Sequence, residues 1–171
     1  NVDLDSVIRK VPDFPKPGIL FKDITPLLRN RDAFREAIEH LTAPYRDAGI
    51  DLIVAIESRG FIFGAPMAEQ LNVGFVPVRK AGKLPAKSIG VEYSLEYGTN
   101  RLEMHADAIQ PGERVLIVDD LLATGGSAKA TANLVEQLGG EVVGLAFLIE
   151  LAFLKGREQL VDYDVFSVLN L

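Results

Sequence analysis

The sequence predicts an α/β fold with a central, mostly parallel β-sheet flanked by helices. Residues 51–56 (DLIVAI) and 114–118 (RVLIV) form nearly continuous apolar runs, which are typical of strands covered on both faces. Between such runs lie segments whose apolar residues recur at helical spacing. This alternation favours a parallel sheet with helices on both sides. A length of 171 residues without a convincing linker predicts a single domain, residues 1–171.

The N-terminal part is predicted to hold little regular structure before its first long helix. Residues 3–10 fit a short amphipathic helix, and the proline-rich stretch 11–28 (VPDFPKPGILFKDITPLL) predicts an extended, ordered loop. A helix over residues 32–48, which Pro44 interrupts or kinks, is predicted by apolar residues at helical spacing: Phe34, Ile38, Leu41 and Tyr45.

The rest of the chain contains the predicted sheet. Runs of apolar, often β-branched residues predict strands at residues 51–56, 74–78, 114–118, 142–149 and 165–168. Helices are expected between them, over residues 61–71, up to about residue 138, and over residues 155–161. The basic stretch 79–90 (RKAGKLPAKSIG) predicts a loop, because glycine and proline punctuate it. Residues 91–97 and 101–105 flank Gly98-Thr99-Asn100 and predict a hairpin.

Composition and charge narrow the classes of function. The net charge of −6 argues against binding of nucleic acid or an anionic membrane, since both need a basic face. The absence of cysteine excludes a thiolate nucleophile, a disulfide and a zinc–thiolate site. This composition fits a reducing cytosol, and we expect a cytoplasmic protein. We expect no targeting or membrane-spanning segment, because no apolar stretch approaches the roughly 20 residues that a spanning helix needs.

The stretch VLIVDDLLATGGSA, residues 115–128, ends an apolar strand with two adjacent carboxylates. In an open parallel sheet, ligands bind at the carboxyl ends of strands, so Asp119 and Asp120 are expected at a binding edge. The next residues precede a helix, where backbone N–H groups and the helix dipole attract anions. We interpret the carboxylates as ligands of a diol or a metal-bound diol. The phosphate site is assigned to the turn Ala123, Thr124, Gly125, Gly126 and Ser127.

Two common nucleotide-binding motifs are absent from the sequence. It contains no G-x-x-x-x-G-K-[ST] stretch and no G-x-G-x-x-G stretch, so a P-loop and the dinucleotide fingerprint are excluded. Each residue of the 115–128 stretch also fits a structural role when taken alone, since an aspartate can cap a turn and Thr124 can cap a helix. The combination of paired carboxylates with a Gly-Gly turn before a helix favours a sugar phosphate as ligand.

VLIVDDLLATGGSA resembles the phosphoribosyl-pyrophosphate motif of the type I phosphoribosyltransferases. ESRGFIFGAP, FVPVRKAGKLP, YSLEYG and FPKPGILFKDITPLL, in the order of that family, resemble the adenine phosphoribosyltransferases, and the resemblance covers residues 13–157. It implies the type I phosphoribosyltransferase fold, with an N-terminal base-binding arm or hood over residues 1–30 and a flexible lid loop and hairpin over residues 79–105. It also implies a homodimer.

The resemblance implies a purine-salvage reaction, the pentosyl transfer of a glycosyltransferase. Adenine and 5-phosphoribosyl 1-pyrophosphate would give AMP and pyrophosphate, with Mg²⁺ held mainly by substrate and water and Asp119 or Asp120 as further ligands. The pyrophosphate is expected to contact Glu57, Ser58, Arg59, Gly60, Arg79, Lys80 and Lys83. The expected adenine contacts are Leu20, Phe21, Lys22 and Leu151. The expected catalytic residues are Glu96, Tyr97 and Arg59.

Physical arguments accompany several of these roles. Arg59 suits bidentate contact with phosphate oxygens. Phosphoribosyltransferases often carry a non-proline cis peptide bond at the position of Glu57–Ser58. Phe21 would stack on the base, with backbone groups of Leu20 and Lys22 at the base edge; many relatives have arginine at the position of Lys22. Glu96 would transfer a proton to a purine nitrogen.

Ordinary structural roles stand beside these assignments. Glu57 and Arg59 also fit a surface ion pair, and the basic residues of the 79–90 loop fit a solvated charge run. Phe21 fits a core anchor equally well, and Glu96 fits an exposed hairpin carboxylate. The two histidines, His40 and His105, have no metal-like spacing and are assigned to a helix surface and the hairpin.

Two other functions stay open at this point. One is a phosphoribosyltransferase for hypoxanthine, guanine or xanthine. The other is a regulator that keeps the fold and binds the sugar pyrophosphate as a signal. The acidic charge, the lack of a spare domain and the presence of Glu96 and Tyr97 favour an enzyme.

Overall fold

The computed structural model of the protein describes residues 2–94 and 98–171. Glu96 and Tyr97, both predicted to be catalytic, lie outside the described residues. The chain divides into two compact units, residues 1–40 and 41–171. The single domain predicted over residues 1–171, with an arm over residues 1–30 and a lid over residues 79–105, stays a prediction.

The smaller unit contains a two-stranded antiparallel sheet. A 3₁₀ helix (Leu4–Val7) precedes β1 (Arg9–Pro12), which pairs with β2 (Leu20–Asp23) so that Val11 lies opposite Phe21. Two helices follow, α1 (Thr25–Arg29) and α2 (Arg31–Thr42). α2 ends just before Pro44, which lies in the short 3₁₀ helix Ala43–Tyr45, so the predicted interruption is confirmed.

Two predictions for this unit were wrong. Residues 3–10 form a 3₁₀ turn and the start of a strand instead of an amphipathic helix. The proline-rich stretch contains β2 and α1 in addition to loop. Pro26 lies in the first turn of α1, where the missing N–H has no intrahelical acceptor in any case, and the Asp23 carboxylate accepts hydrogen bonds from the Thr25 backbone N–H and side-chain hydroxyl.

In the larger unit, the described residues form a seven-stranded sheet in the order β5-β6-β4-β3-β7-β8-β9. Neighbours among β4, β3, β7, β8 and β9 are parallel, and β5 and β6 form an antiparallel hairpin at one edge, so the predicted mostly parallel sheet is confirmed. The strands and helices are β3 (Leu52–Ile56), α3 (Arg59–Leu71), β4 (Gly74–Lys80), β5 (Ser88–Ser94), β6 (Thr99–His105), β7 (Arg114–Leu122), α4 (Gly126–Gln137), β8 (Glu141–Glu150) and β9 (Val165–Asn170).

The central strands form the core of this unit, as their apolar runs predict. Ile53, Val54 and Ala55 of β3 are fully buried, as are the first apolar residues of β7. Helix α3 packs closely on β3 at Gly64, where an added Cβ would lie 2.7 Å from the Cβ of Ala55. β7 runs four residues beyond the predicted strand 114–118, so both aspartates of the motif lie within it. Within the described residues, no helix has the length and apolarity to cross a membrane.

Candidate active site

Four parallel strands carry most of the predicted site residues to one edge of the sheet. β3, β4, β7 and β8 run in the same direction, so their carboxyl ends meet there. Residues 57–60 follow β3, and the 123–127 turn follows β7. Arg79 and Lys80 end β4, and Leu151 follows β8, where its N–H donates to the Leu122 carbonyl at 2.9 Å.

Arg59 and Asp120 form the central ion pair of this edge, although 61 residues separate them. The Arg59 Nε donates to Asp120 Oδ2 at 2.6 Å, and the Asp120 side chain is only 9% exposed. Gly60 lets α3 begin close to β7, since an added Cβ would lie 3.0 Å from both the Val118 carbonyl oxygen and Asp119 Oδ1. Arg59 thus pairs with a residue of β7, whereas the sequence alternative was a surface pair with Glu57.

The two adjacent carboxylates differ in their surroundings. Asp119 Oδ1 accepts a hydrogen bond from the Asp120 backbone N–H at 2.8 Å, while Asp120 faces Arg59. Loss of solvation and the neighbouring Asp120 charge raise the pKa of Asp119 above its ordinary value. Both carboxylates have hard oxygen atoms, which can accept hydrogen bonds from sugar hydroxyls or coordinate a cation.

A second ion pair links the ends of β3 and β4. Arg79 Nε donates to Glu57 Oε1 at 2.9 Å, and the Lys80 backbone N–H donates to the same oxygen at 3.3 Å. The hydrogen bond from Arg79 lowers the pKa of Glu57, and the charge of Lys83 acts in the same direction. The Glu57–Ser58 peptide bond is cis, as the family resemblance led us to expect. Arginine and lysine side chains thus gather beside the 57–60 segment.

The 123–127 turn forms the other part of the edge. Gly125 has a φ of +91° and immediately precedes α4, whose first N–H groups have no intrahelical acceptors. Residues 121–128, together with Tyr93 of β5, line a cavity of about 210 Å³. No acidic side chain among the described residues lines this cavity, and a helix begins there, so the turn can receive an anion through its backbone.

The residues predicted to recognise the base belong to both compact units. Leu20, Phe21 and Lys22 all lie on β2 in the smaller unit. Phe21 is partly exposed, and its ring makes an edge-to-face contact with Phe14 at a centroid distance of 5.2 Å. Leu151, in the larger unit, is also partly exposed. The side chains of Phe21 and Leu151 therefore each keep some apolar surface exposed, each within its own unit.

Three residues at the turn had no predicted role. The Tyr93 ring lies over Gly126, where an added Cβ would be 3.2 Å from it. Gly156 touches the turn backbone, and the Gln159 side chain donates to the Thr124 carbonyl. YSLEYG contains Tyr93 and could have singled it out, but no local pattern marks Gln159, because its contact crosses 35 residues.

Among the described residues, no group of three or more histidine, aspartate or glutamate side chains could hold a metal ion. His40 lies on the exposed side of α2 near Glu36, and His105 ends β6, where its Nε2 accepts from the Ala86 N–H at 3.4 Å. A cation at this edge would take Asp119 or Asp120 together with oxygens from a ligand and water, which is the coordination that Mg²⁺ commonly adopts.

Comparison with known proteins shows the family of the chain. The sequence model of the phosphoribosyl transferase domain matches residues 26–170. The chain is 60% identical to adenine phosphoribosyltransferase of Halothermothrix orenii over 169 residues, 99% of both chains. It is 59% identical to that of Thermotoga maritima over 165 residues, 96% of this chain and 95% of the relative.

Solved structures of adenine phosphoribosyltransferases have the same fold as this chain. Adenine phosphoribosyltransferase from Thermoanaerobacter pseudethanolicus superimposes with a TM-score of 0.96 at 56% identity, covering 99% of this chain and 98% of that one. The Saccharomyces cerevisiae enzyme, solved with an imino-altritol bisphosphate and adenine, has a TM-score of 0.92 at 46% identity, covering 97% and 96%. The chain has the type I phosphoribosyltransferase fold and belongs to the phosphoribosyl transferase domain family, within it to the adenine phosphoribosyltransferases.

Proposed function

We propose that this protein transfers the 5-phosphoribosyl group from 5-phosphoribosyl 1-pyrophosphate to adenine, giving AMP and pyrophosphate in purine salvage. One observation carries the proposal: the Arg59–Asp120 pair lies at the same sheet edge as the 123–127 turn. This arrangement suits the three polar parts of the sugar pyrophosphate. The arginine matches the pyrophosphate, the carboxylates match the ribose hydroxyls, and the backbone of the turn matches the 5′-phosphate. Family membership at about 60% identity to adenine phosphoribosyltransferases supports the choice of base.

The turn Ala123–Ser127 is proposed to hold the 5′-phosphate through backbone N–H groups and the hydroxyls of Thr124 and Ser127. Asp119 and Asp120 are proposed to accept hydrogen bonds from the ribose hydroxyls. Their negative charge would also stabilise the positive charge that develops on the sugar as the bond to pyrophosphate breaks. Adenine attacks the anomeric carbon from the opposite face, so the configuration there inverts.

The pyrophosphate is proposed to bind Arg59, Arg79, Lys80 and Lys83 and the backbone of residues 57–60. Two of these cations already have carboxylate partners, Arg59 with Asp120 and Arg79 with Glu57. The substrate brings hydroxyl donors for Asp120 and phosphate acceptors for Arg59, so it replaces each partner of that ion pair. Binding therefore does not leave either charge unpaired.

For the base, we propose that Phe21 stacks on adenine while backbone groups of Leu20 and Lys22 bond to the base edge. A backbone contact at Lys22 would not depend on the side chain at that position. Leu151 is proposed to supply a further apolar contact. The proton-transfer role of Glu96 and the role of Tyr97 stay predictions.

Mg²⁺ dependence belongs to the same proposal. Asp119 and Asp120 offer carboxylate oxygens of the kind that Mg²⁺ takes alongside substrate oxygens and water. When bound, Mg²⁺ supplies charge neutralisation of the pyrophosphate leaving group. A homodimer is proposed from the family resemblance, and a cytoplasmic location from the cysteine-free composition.

The test is product formation with Mg²⁺ and the sugar pyrophosphate, with adenine, hypoxanthine, guanine and xanthine offered separately. We expect AMP from adenine and no product from the other three bases. Turnover of a 6-oxopurine would contradict the roles of Leu20, Phe21 and Lys22 but leave the phosphate assignments intact. Binding of the sugar pyrophosphate without turnover of any base would favour the regulator.

A further inference from the structure

The segment after β8 contacts the outer side of the 123–127 turn. It contains the 3₁₀ helices Ala152–Leu154 and Gly156–Leu160. Gly156 is buried, and a Cβ added to it would lie 2.5 Å from the Ala123 carbonyl oxygen. Conversely, a Cβ added to Gly125 would lie 2.7 Å from the Gly156 carbonyl oxygen. The two backbones therefore fit together only because both positions are glycine.

Gln159 adds a directional contact to this fit. Its Nε2 donates to the Thr124 carbonyl oxygen at 2.9 Å. The Thr124–Gly125 peptide is planar and trans, so its C=O and the N–H of Gly125 point in opposite directions. A hydrogen bond that holds the carbonyl toward Gln159 therefore holds the Gly125 N–H on the other side. It also keeps the partial negative charge of the carbonyl oxygen from turning toward a bound anion.

An ion pair fixes the 156–160 segment to the sheet. Arg157 Nε lies 2.9 and 2.8 Å from the two oxygens of Glu150, the last residue of β8, whose side chain is 5% exposed. Ser167 of β9 donates to Glu150 at 2.6 Å, and Arg157 Nη1 donates to the Val165 carbonyl at 3.0 Å. These contacts tie Arg157, the residue that follows Gly156, to the end of β8 and to β9.

We propose that Gln159 is a positioning residue for the 5′-phosphate: it orients the Thr124–Gly125 peptide, while Gly156 and the Glu150–Arg157 pair hold it against the turn. This inference rests on the proposed assignment of the turn to the 5′-phosphate. In this inference Gln159 acts on ligand binding through the turn, whose Thr124 carbonyl accepts its hydrogen bond. The expected consequence is a loss of affinity confined to ligands that carry the 5′-phosphate.

The test compares Gln159→Met, which keeps the size and removes the donor, with Gln159→Glu, which places a negative charge at the Thr124 carbonyl. Gln137→Met and Gln137→Glu are matched controls, because Gln137 is an exposed residue at the end of α4. Dissociation constants for ribose 5-phosphate and for pyrophosphate are measured by calorimetry, together with KM and kcat for the sugar pyrophosphate. Melting temperatures verify that every variant folds.

We expect roughly a fivefold weaker binding of ribose 5-phosphate in Gln159→Met and a larger loss in Gln159→Glu, as for removal of one hydrogen bond. Pyrophosphate binding and kcat should stay within about twofold, since the donor acts on neither. Unchanged ribose 5-phosphate affinity, or an equal loss for pyrophosphate, would overturn the positioning role. If the unsubstituted protein itself bound no ribose 5-phosphate, the proposed function would be at fault instead.

Discussion

The 123–127 turn and the 57–60 segment both follow a buried parallel strand and lead into a helix, but they present different groups to an anion. The turn presents backbone, and glycine-to-glycine contact with Gly156 shapes it. The 57–60 segment works through charged side chains that already form ion pairs with Asp120 and Glu57. In the proposed function, shape therefore determines binding of the 5′-phosphate at the turn, whereas charge determines binding of the pyrophosphate at the 57–60 segment. Substitutions in the turn and in the 57–60 segment should therefore weaken the binding of different ligands.

The largest effect is expected from Gly125→Ala. Its φ of +91° disfavours any Cβ, and the new methyl would lie 2.7 Å from the Gly156 carbonyl. We expect ribose 5-phosphate affinity to fall roughly hundredfold, while pyrophosphate affinity changes little. Gly112→Ala is the control, since its φ of +86° is as strained but no atom lies within 4 Å of the added Cβ. An equal loss of affinity in Gly112→Ala would show that backbone strain elsewhere in the fold is sufficient, and that the contact of Gly125 with Gly156 is not what matters.

A somewhat smaller effect is expected from Arg59→Ala. The change removes a pyrophosphate ligand and leaves the buried Asp120 without this cation. We expect inhibition by pyrophosphate to weaken roughly thirtyfold or more, with the inhibition of the unsubstituted protein falling as salt rises. Arg114→Ala, which breaks a partly exposed pair with Glu141 at the opposite end of β7, should leave inhibition unchanged. Unaltered pyrophosphate inhibition in Arg59→Ala would remove the residue from the site.

The smallest effect is expected from the pH dependence of the Glu150–Arg157 pair. Burial acts to raise the pKa of Glu150, but hydrogen bonds from Arg157 and Ser167 outweigh it and lower that pKa below its ordinary 4.5. A carboxylate with a lowered folded pKa stabilises the fold fully above its ordinary pKa, and this stabilisation is lost as pH falls through the folded value. The unfolding free energy should therefore decline more steeply below about pH 4.5 in the unsubstituted protein than in Glu150→Gln.

Denaturant titrations at several pH values would measure this difference. Glu150→Gln is the informative variant, because it keeps the acceptor for Arg157 and Ser167 but cannot titrate. Parallel pH profiles for the two proteins would mean that the charge of Glu150 does not contribute to the stability of the fold through its pair with Arg157.

The sequence predicted the central elements of the larger unit because each depends on a local pattern. The apolar runs of β3 and β7 and the helical spacing in α3 are properties of a few consecutive residues. The smaller unit was predicted less well, since β1 becomes a strand only by pairing with β2 about ten residues away. A proline-rich stretch carries no periodic signal from which to predict that pairing.

By itself, the sequence determined the alternation of strands and helices, the glycine turn at Gly125 before α4 and the positions of the charged residues at the strand ends, because consecutive residues encode each of these. Only the tertiary structure decided which partners the charged and polar groups take. Arg59 pairs with Asp120 because the strand order places β3 beside β7, and Glu57 pairs with Arg79 because β4 lies on the other side of β3. Gln159 reaches the turn because β8 ends beside it. Such contacts depend on the order of strands in space, which no short stretch of the chain specifies.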